Sequence, residues 1–267
     1  MTTGDPGERR PRAAGLPRES RPRVRRVPAS TAIHVFRAID VDHQACEKAR
    51  TILERTHESA AALLKAFDLL RTPRGRRTAR VGMTTDEEQD VLRAMLVMAA
   101  AGLDAMTKQL IRDALPLIAH RNSRARAELE KFLARQFAVD VQSITAGRSA
   151  RFVAGLLSAS DLPSRAVALY VEDLTAGSLQ SAEELSRIAA AFGLTREDLG
   201  TNFEDLRDIF RVRNKIIHDL DVNLEAAGRV RNMRTRPRMA ADANALLQAS
   251  EDLLRAINNQ LSGLGAR

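Results

Sequence analysis

The chain has no tryptophan, one tyrosine and only 3% aromatic residues in total. Its core must therefore be built from Leu, Ala, Ile, Val and Met, a composition that suits packed helices. So few aromatic residues argue against platforms for stacking single-stranded bases. Cysteine is nearly absent too. The lone Cys46 permits no intrachain disulfide and no cysteine-based zinc site, which fits a reducing cytoplasm. It lies in the amphipathic stretch AIDVDHQACEKAR, where a thiol packs rather than reacts. Long apolar runs are missing. The longest, Ala94 to Leu103, is bounded by Arg93 and Asp104 and is too short for a bilayer, so no membrane partner is expected. The N-terminus has no apolar segment of the secretory type. No stretch alternates long enough to predict strands, and no internal repeat is visible. His34, His43, His57, His120 and His218 lack acidic neighbours at ligand spacing, so neither metal nor cofactor is expected.

What is present is 44% hydrophobic residues in 267, enough for a real core, and a net charge of +8. A basic surface favours polyanions, although an arginine-rich composition with a basic tail gives the same balance. Residues 1–30 hold five of the nine prolines among many arginines, and read as a disordered basic arm. Residues 31–84 read as an N-terminal helical extension from about Asp40 to Arg71, followed by a basic loop from Thr72 to Met83. Residues 85–267 read as a helical domain. Thr85 and Glu88 have capping-box spacing and open a helix that ends near Pro116. That helix is apolar on most sides and is expected at the centre of the fold. Further helices are predicted at Ser123 to Phe137, Ala150 to Leu157, Ser164 to Val171, after Ser181, from Phe203 to Leu220, and from Met239 to Leu261.

Chemistry concentrates in RVRNKIIHDLD, Arg211 to Asp221. On an ideal helix of about 100° per residue, Phe203, Leu206, Ile209, Phe210, Val212, Ile216, Ile217 and Leu220 share one side. Asp208, Arg211, Asn214, Lys215 and His218 share the other. Such a stripe suits a phosphate substrate: arginine offers a fixed fork of donors, and histidine exchanges protons near neutral pH. Arg213 does not fit. It sits about 140° from His218, near the middle of the apolar side. A buried arginine needs a partner, and Asp104 is the candidate unless that face meets a second subunit. Just downstream, GRVRNMRTRPRM places Arg229, Arg231 and Arg234 where they would hold an RNA backbone or form a solvated charged loop.

RNKIIH, Arg213 to His218, resembles the RNxxxH form of the R-x4–6-H signature of HEPN domains. Arg211 with His218 also fits the signature. GSLQSAEELSRIAAAFGL, upstream, resembles the RiboL-PSP subgroup, and the likeness runs from about Asp86 to Leu261. It implies an all-α, up-and-down helical bundle of HEPN type, here with an added N-terminal helix and arm. It implies a metal-independent endoribonuclease, a toxin or antiviral defence effector, that needs no cofactor. Its site is a composite cleft in a homodimer. His218 would be the acid/base for attack of the ribose 2′-hydroxyl on the adjacent phosphate. Arg213 would stabilise the phosphate charge, and Asn214 would orient His218 or the substrate. Arg211 and Lys215 would assist at the phosphate, and the products would be 2′,3′-cyclic phosphates. RNA and a second copy are the implied partners, with a cognate antitoxin or regulator as a further one. Two other readings stay open: a non-catalytic HEPN-like module that binds nucleic acid or protein, and an unrelated helical protein whose RNKIIHD is a charged helix end.

Overall fold

Thr85 and Ser181 cap helices where the sequence places them. A computed structural model of the chain describes residues 32–34, 39–71, 84–137, 161–223 and 230–265, together with 155, 159 and 225. The arm at 1–30, the basic loop at 72–83, most of the helix expected at Ala150 to Leu157, and Arg229 lie outside the described residues. After a short turn of 3-10 helix at Gln44–Cys46, helix α1 spans Glu47–Leu70 and α2 spans Asp86–Asp113. The Thr85–Glu88 capping box is formed in both directions. Pro116 does not end the helical path outright. It sits in the first turn of a short α3, Leu115–Ala119, where its missing N–H costs nothing. Helix α4 is Ser123–Phe137 and α5 is Leu162–Ala176, longer at both ends than its apolar spacing suggests because Asp161 caps it. Ser181 caps α6, Ala182–Ala191. Next come α7, Arg196–Leu199, and α8, Phe203–Asp219, which Asn202 caps. The last helix, α9, Arg236–Gly265, starts before Met239 because Pro237 is tolerated in a first turn.

The described residues form an all-α bundle with α2 at its centre. Helix α2 packs against α1, α3, α5, α8 and α9. Leu92, Met95, Leu96, Leu103, Met106 and Leu110 are fully buried along it. By length and composition α2 is also apolar enough to cross a membrane. Its burial on several sides is that of a core helix. Cys46 is fully buried, and burial pushes its thiol up to about 12, so it packs as expected and is no nucleophile.

The α1–α2 contact is close because Gly102 has no side chain. A Cβ there would lie 2.1 Å from Oγ1 of the buried Thr56. Gly102→Ala is therefore expected to destabilise the fold by about 1–3 kcal/mol through overpacking. Chemical denaturation checks it, and Thr56→Ala combined with Gly102→Ala should recover part of the loss.

The N-terminal segment shares the core of the bundle. The Asp42 and His43 N–H groups donate to Asn258 Oδ1 on α9 at 3.1 and 3.3 Å. The His34 N–H donates to Asn244 Oδ1 at 3.1 Å. Glu251 on α9 lies buried between His34 and His57. Burial alone would raise its carboxyl, but the adjoining imidazoles of His34 and His57 bring it down to about 2.

Candidate active site

Helix α8 carries the RNKIIHD stretch. Phe203, Leu206, Ile209, Phe210 and Ile216 are buried along one side, and this side fixes the rotation of the helix. Asp208, Arg211, Lys215 and His218 are exposed on the other side, as the helical projection predicts, but Ile217 and Leu220, which it places on the apolar side, are exposed too. The stripe faces the start of α6. Together they line an open groove of about 350 Å³, with Gln180, Ser181 and Glu183 on one wall and Arg211, Asn214, Lys215 and His218 on the other. The two stretches that carry the HEPN resemblance are thus the two walls of one groove.

Asn214 joins these walls. Its Nδ2 donates to the Gln180 carbonyl at 3.2 Å, and its Oδ1 accepts from Arg213 Nη1 at 2.9 Å. Asn214 therefore orients Arg213 and the loop before α6, and among the described residues it makes no hydrogen bond to His218. Among the described residues the Lys215 and His218 side chains have no hydrogen-bond or ion-pair partner. Arg211 is held by Asp208 at 3.0 Å, an exposed pair of small energetic weight that a phosphate can replace. The groove can thus receive an anion and present an imidazole to it.

Arg213 does not line this groove. It is half-buried, and its Nε is fully buried without a hydrogen-bond partner among the described residues. The expected ion pair with Asp104 does not form. Asp104 instead accepts from Lys108 Nζ at 2.8 Å and from the Leu179 N–H at 2.7 Å. An acid one turn from a lysine on its own helix, facing a loop N–H, is satisfied locally before a distant arginine can reach it.

The arginines downstream of the motif also differ from expectation. Arg231 binds Asp90 at 2.6 Å and donates to the Leu220 carbonyl at 3.1 Å. Arg234 Nε binds Asp221 at 2.8 Å. Arg236 pairs with Asp68 and Arg238 with Asp242. The described arginines of this segment are structural ion pairs, not a free surface for RNA backbone. Arg229 lies outside the described residues.

These pairs centre on a residue that the motif reading passed over. Asp221, at the end of RVRNKIIHDLD, is completely buried. It accepts from Arg93 Nε at 3.0 Å, from Arg234, and from Asn232 Nδ2 at 3.0 Å. Burial opposes ionisation, yet these donors hold its carboxyl below the usual carboxylate range. Leu220 and Asp221 both adopt left-handed backbone, with φ of 50° and 60°. Such positions cost about 1–3 kcal/mol each and persist only where surrounding bonds impose them. Here the Asp221 N–H donates to the Lys215 carbonyl at 2.9 Å, which seals the end of α8 two residues past the His218–Asp219 pair. The sequence signal was Arg93, a lone charge at the start of the apolar run in α2. It marked the buried partner that Arg213 only imitated.

No family model matches the chain, and comparison with curated proteins and with solved structures finds no match either.

Proposed function

We propose that the chain is a metal-independent endoribonuclease of HEPN type that acts as a homodimer in the cytoplasm, as a toxin or antiviral defence effector. The observation that carries this reading is the groove, in which an exposed His218 and Lys215, unpaired among the described residues, face the Gln180–Glu183 wall. His218 takes the proton of a ribose 2′-hydroxyl as it attacks the adjacent phosphate. Lys215 and Arg211 compensate the charge that develops on the phosphate oxygens. Transesterification also needs an acid for the leaving 5′-oxygen, and among the described residues His218 is the one imidazole that lines the groove. A second copy supplies the other. Ile217, Leu220, Val230 and Met233 are large apolar side chains left exposed beside the motif, and they suit self-association. In that dimer Arg213, with its orphaned Nε, reaches the partner's half of the cleft. A cognate antitoxin or regulator would act by covering the groove.

A binding module without catalysis is the second reading. It uses the same basic surface, the exposed Arg211, Lys215 and His218 of the groove, to hold nucleic acid or a partner protein without cleaving it. The two separate on one assay. Single-stranded RNA is incubated with purified chain in excess EDTA across a dilution series. The nuclease reading expects cleavage, with specific activity falling as the dimer dissociates. RNA retention without any cleavage at high protein concentration would select the binding module.

A further inference from the structure

Three side chains converge at a place that the groove does not use. His34 comes from the segment before α1, His57 from the middle of α1, and Glu251 from α9. His34 Nε2 lies 2.8 Å from Glu251 Oε1, and His57 Nε2 lies 3.0 Å from the same oxygen. One ligand atom from each residue falls within 4.8 Å of the others. The two imidazole rings meet edge to face, with centroids 4.8 Å apart. The site is largely sheltered: side-chain exposure is 5% for His57 and 8% for Glu251, with His34 at 30% on the solvent side.

Asn244 determines which nitrogen of His34 carries its proton. The Asn244 Nδ2 donates to the Ala32 carbonyl at 2.8 Å, and its Oδ1 accepts the His34 backbone N–H at 3.1 Å. The oxygen must therefore face His34, and His34 Nδ1, 3.1 Å from it, must be the N–H. The lone pair of the neutral ring is then on Nε2, aimed at a carboxylate oxygen. A lone pair facing a carboxylate at this distance requires a cation between or upon them. With two Nε2 atoms within 3.0 Å of one Oε1, a single divalent ion satisfies the whole set. Two imidazoles and a carboxylate are a usual donor set for zinc and related ions, at about 2.0–2.2 Å from the metal. A histidine whose other nitrogen donates to a fixed oxygen is the usual outer-shell arrangement. Spacing could not reveal this group, because His34 and Glu251 are 217 residues apart in the chain.

We propose that His34, His57 and Glu251 form a binding site for one borderline divalent transition-metal ion. It staples the segment before α1 to α1 and α9, with the remaining coordination position open on the His34 side. The metal's role is structural: the ligands come from three separate segments, so binding free energy is added to the free energy of folding. The ion takes no part in RNA cleavage.

The test uses Zn²⁺ alone on the full chain, stripped with chelator and titrated against a competing chelator dye. One Zn²⁺ per chain and a rise in melting temperature are expected. Co²⁺ in its place should give the visible absorption of a four- or five-coordinate site with nitrogen donors. His34→Gln, on the partly exposed ligand, should fold and weaken binding at least about 100-fold, and Asn244→Ala about 10–100-fold. Glu251→Gln should abolish the Co²⁺ spectrum, and if it fails to fold, His34→Gln decides. No stoichiometric binding, or binding and a Co²⁺ spectrum unchanged by His34→Gln, would overturn the proposal and leave a proton as the only cation at the site. RNA cleavage in EDTA is a separate readout, so the nuclease reading and the metal site can fail independently.

Discussion

Asp221→Ala is expected to cost about 3–5 kcal/mol of stability, the range for removing one partner of a buried ion pair. The substitution leaves Arg93, only 3% exposed, without the acid that accepts its Nε. Arg234 and Asn232 lose the same acceptor. It also removes a side chain that holds two successive left-handed residues in place. For a chain of this size, the melting temperature should fall by roughly 10 °C or more. Asp221→Asn should lose less, since the amide oxygen still accepts one arginine. The acid side of the stability curve supplies a second check. The Asp221 carboxyl is held below its ordinary value in the fold. Its contribution is therefore complete above the unfolded carboxylate pKa near ~4 and is lost as pH falls through the lower folded value. Asp221→Asn should flatten that part of the decline. Chemical denaturation of the three proteins between neutral and acid pH measures both effects. A loss below 1 kcal/mol for Asp221→Ala would mean that the network is not what seals α8.

His218→Ala should separate chemistry from folding in the opposite way. The side chain is exposed and makes no hydrogen bond or ion pair among the described residues. Its removal is expected to change stability by no more than about 0.5 kcal/mol. Loss of a positioned acid/base should lower RNA cleavage by about 10²–10⁴-fold. A charged helix end without catalytic function predicts the reverse pattern, with a stability loss and no activity to lose. Arg213→Ala is a useful companion. Its Nη1 anchors Asn214, which in turn holds the Gln180 carbonyl, so this variant should perturb both walls of the groove.

The helices were legible because they rest on local rules. Apolar spacing set the buried faces of α1, α2 and α8, and Thr85, Ser181 and Asn202 cap by side-chain bonds that span three residues or fewer. The polar stripe on α8 was legible for the same reason. Partnerships across the bundle were not. Arg93 and Asp221 are 128 residues apart, and no periodicity links them. A projection of α8 alone singles out Arg213 as misplaced, yet it does not show that Asp104 is already satisfied on its own helix. The arginine-rich segment misled for a related reason. Charge density is visible in a sequence, whereas the acids Asp68, Asp90, Asp221 and Asp242 that neutralise it are brought there by the fold. The histidines were set aside on spacing, and it is the fold that brings His34 and His57 edge to face beside Glu251 of α9.

The central claim is that the groove between α6 and the end of α8 cleaves RNA through His218. The direct measurement is the chemistry of the RNA ends formed by purified chain in excess EDTA. New 2′,3′-cyclic phosphate ends from the wild-type chain, and their absence with a folded His218→Ala, are the predicted result. The same ends appearing at undiminished rate with His218→Ala, or no new ends from the wild-type chain at any concentration, would contradict it.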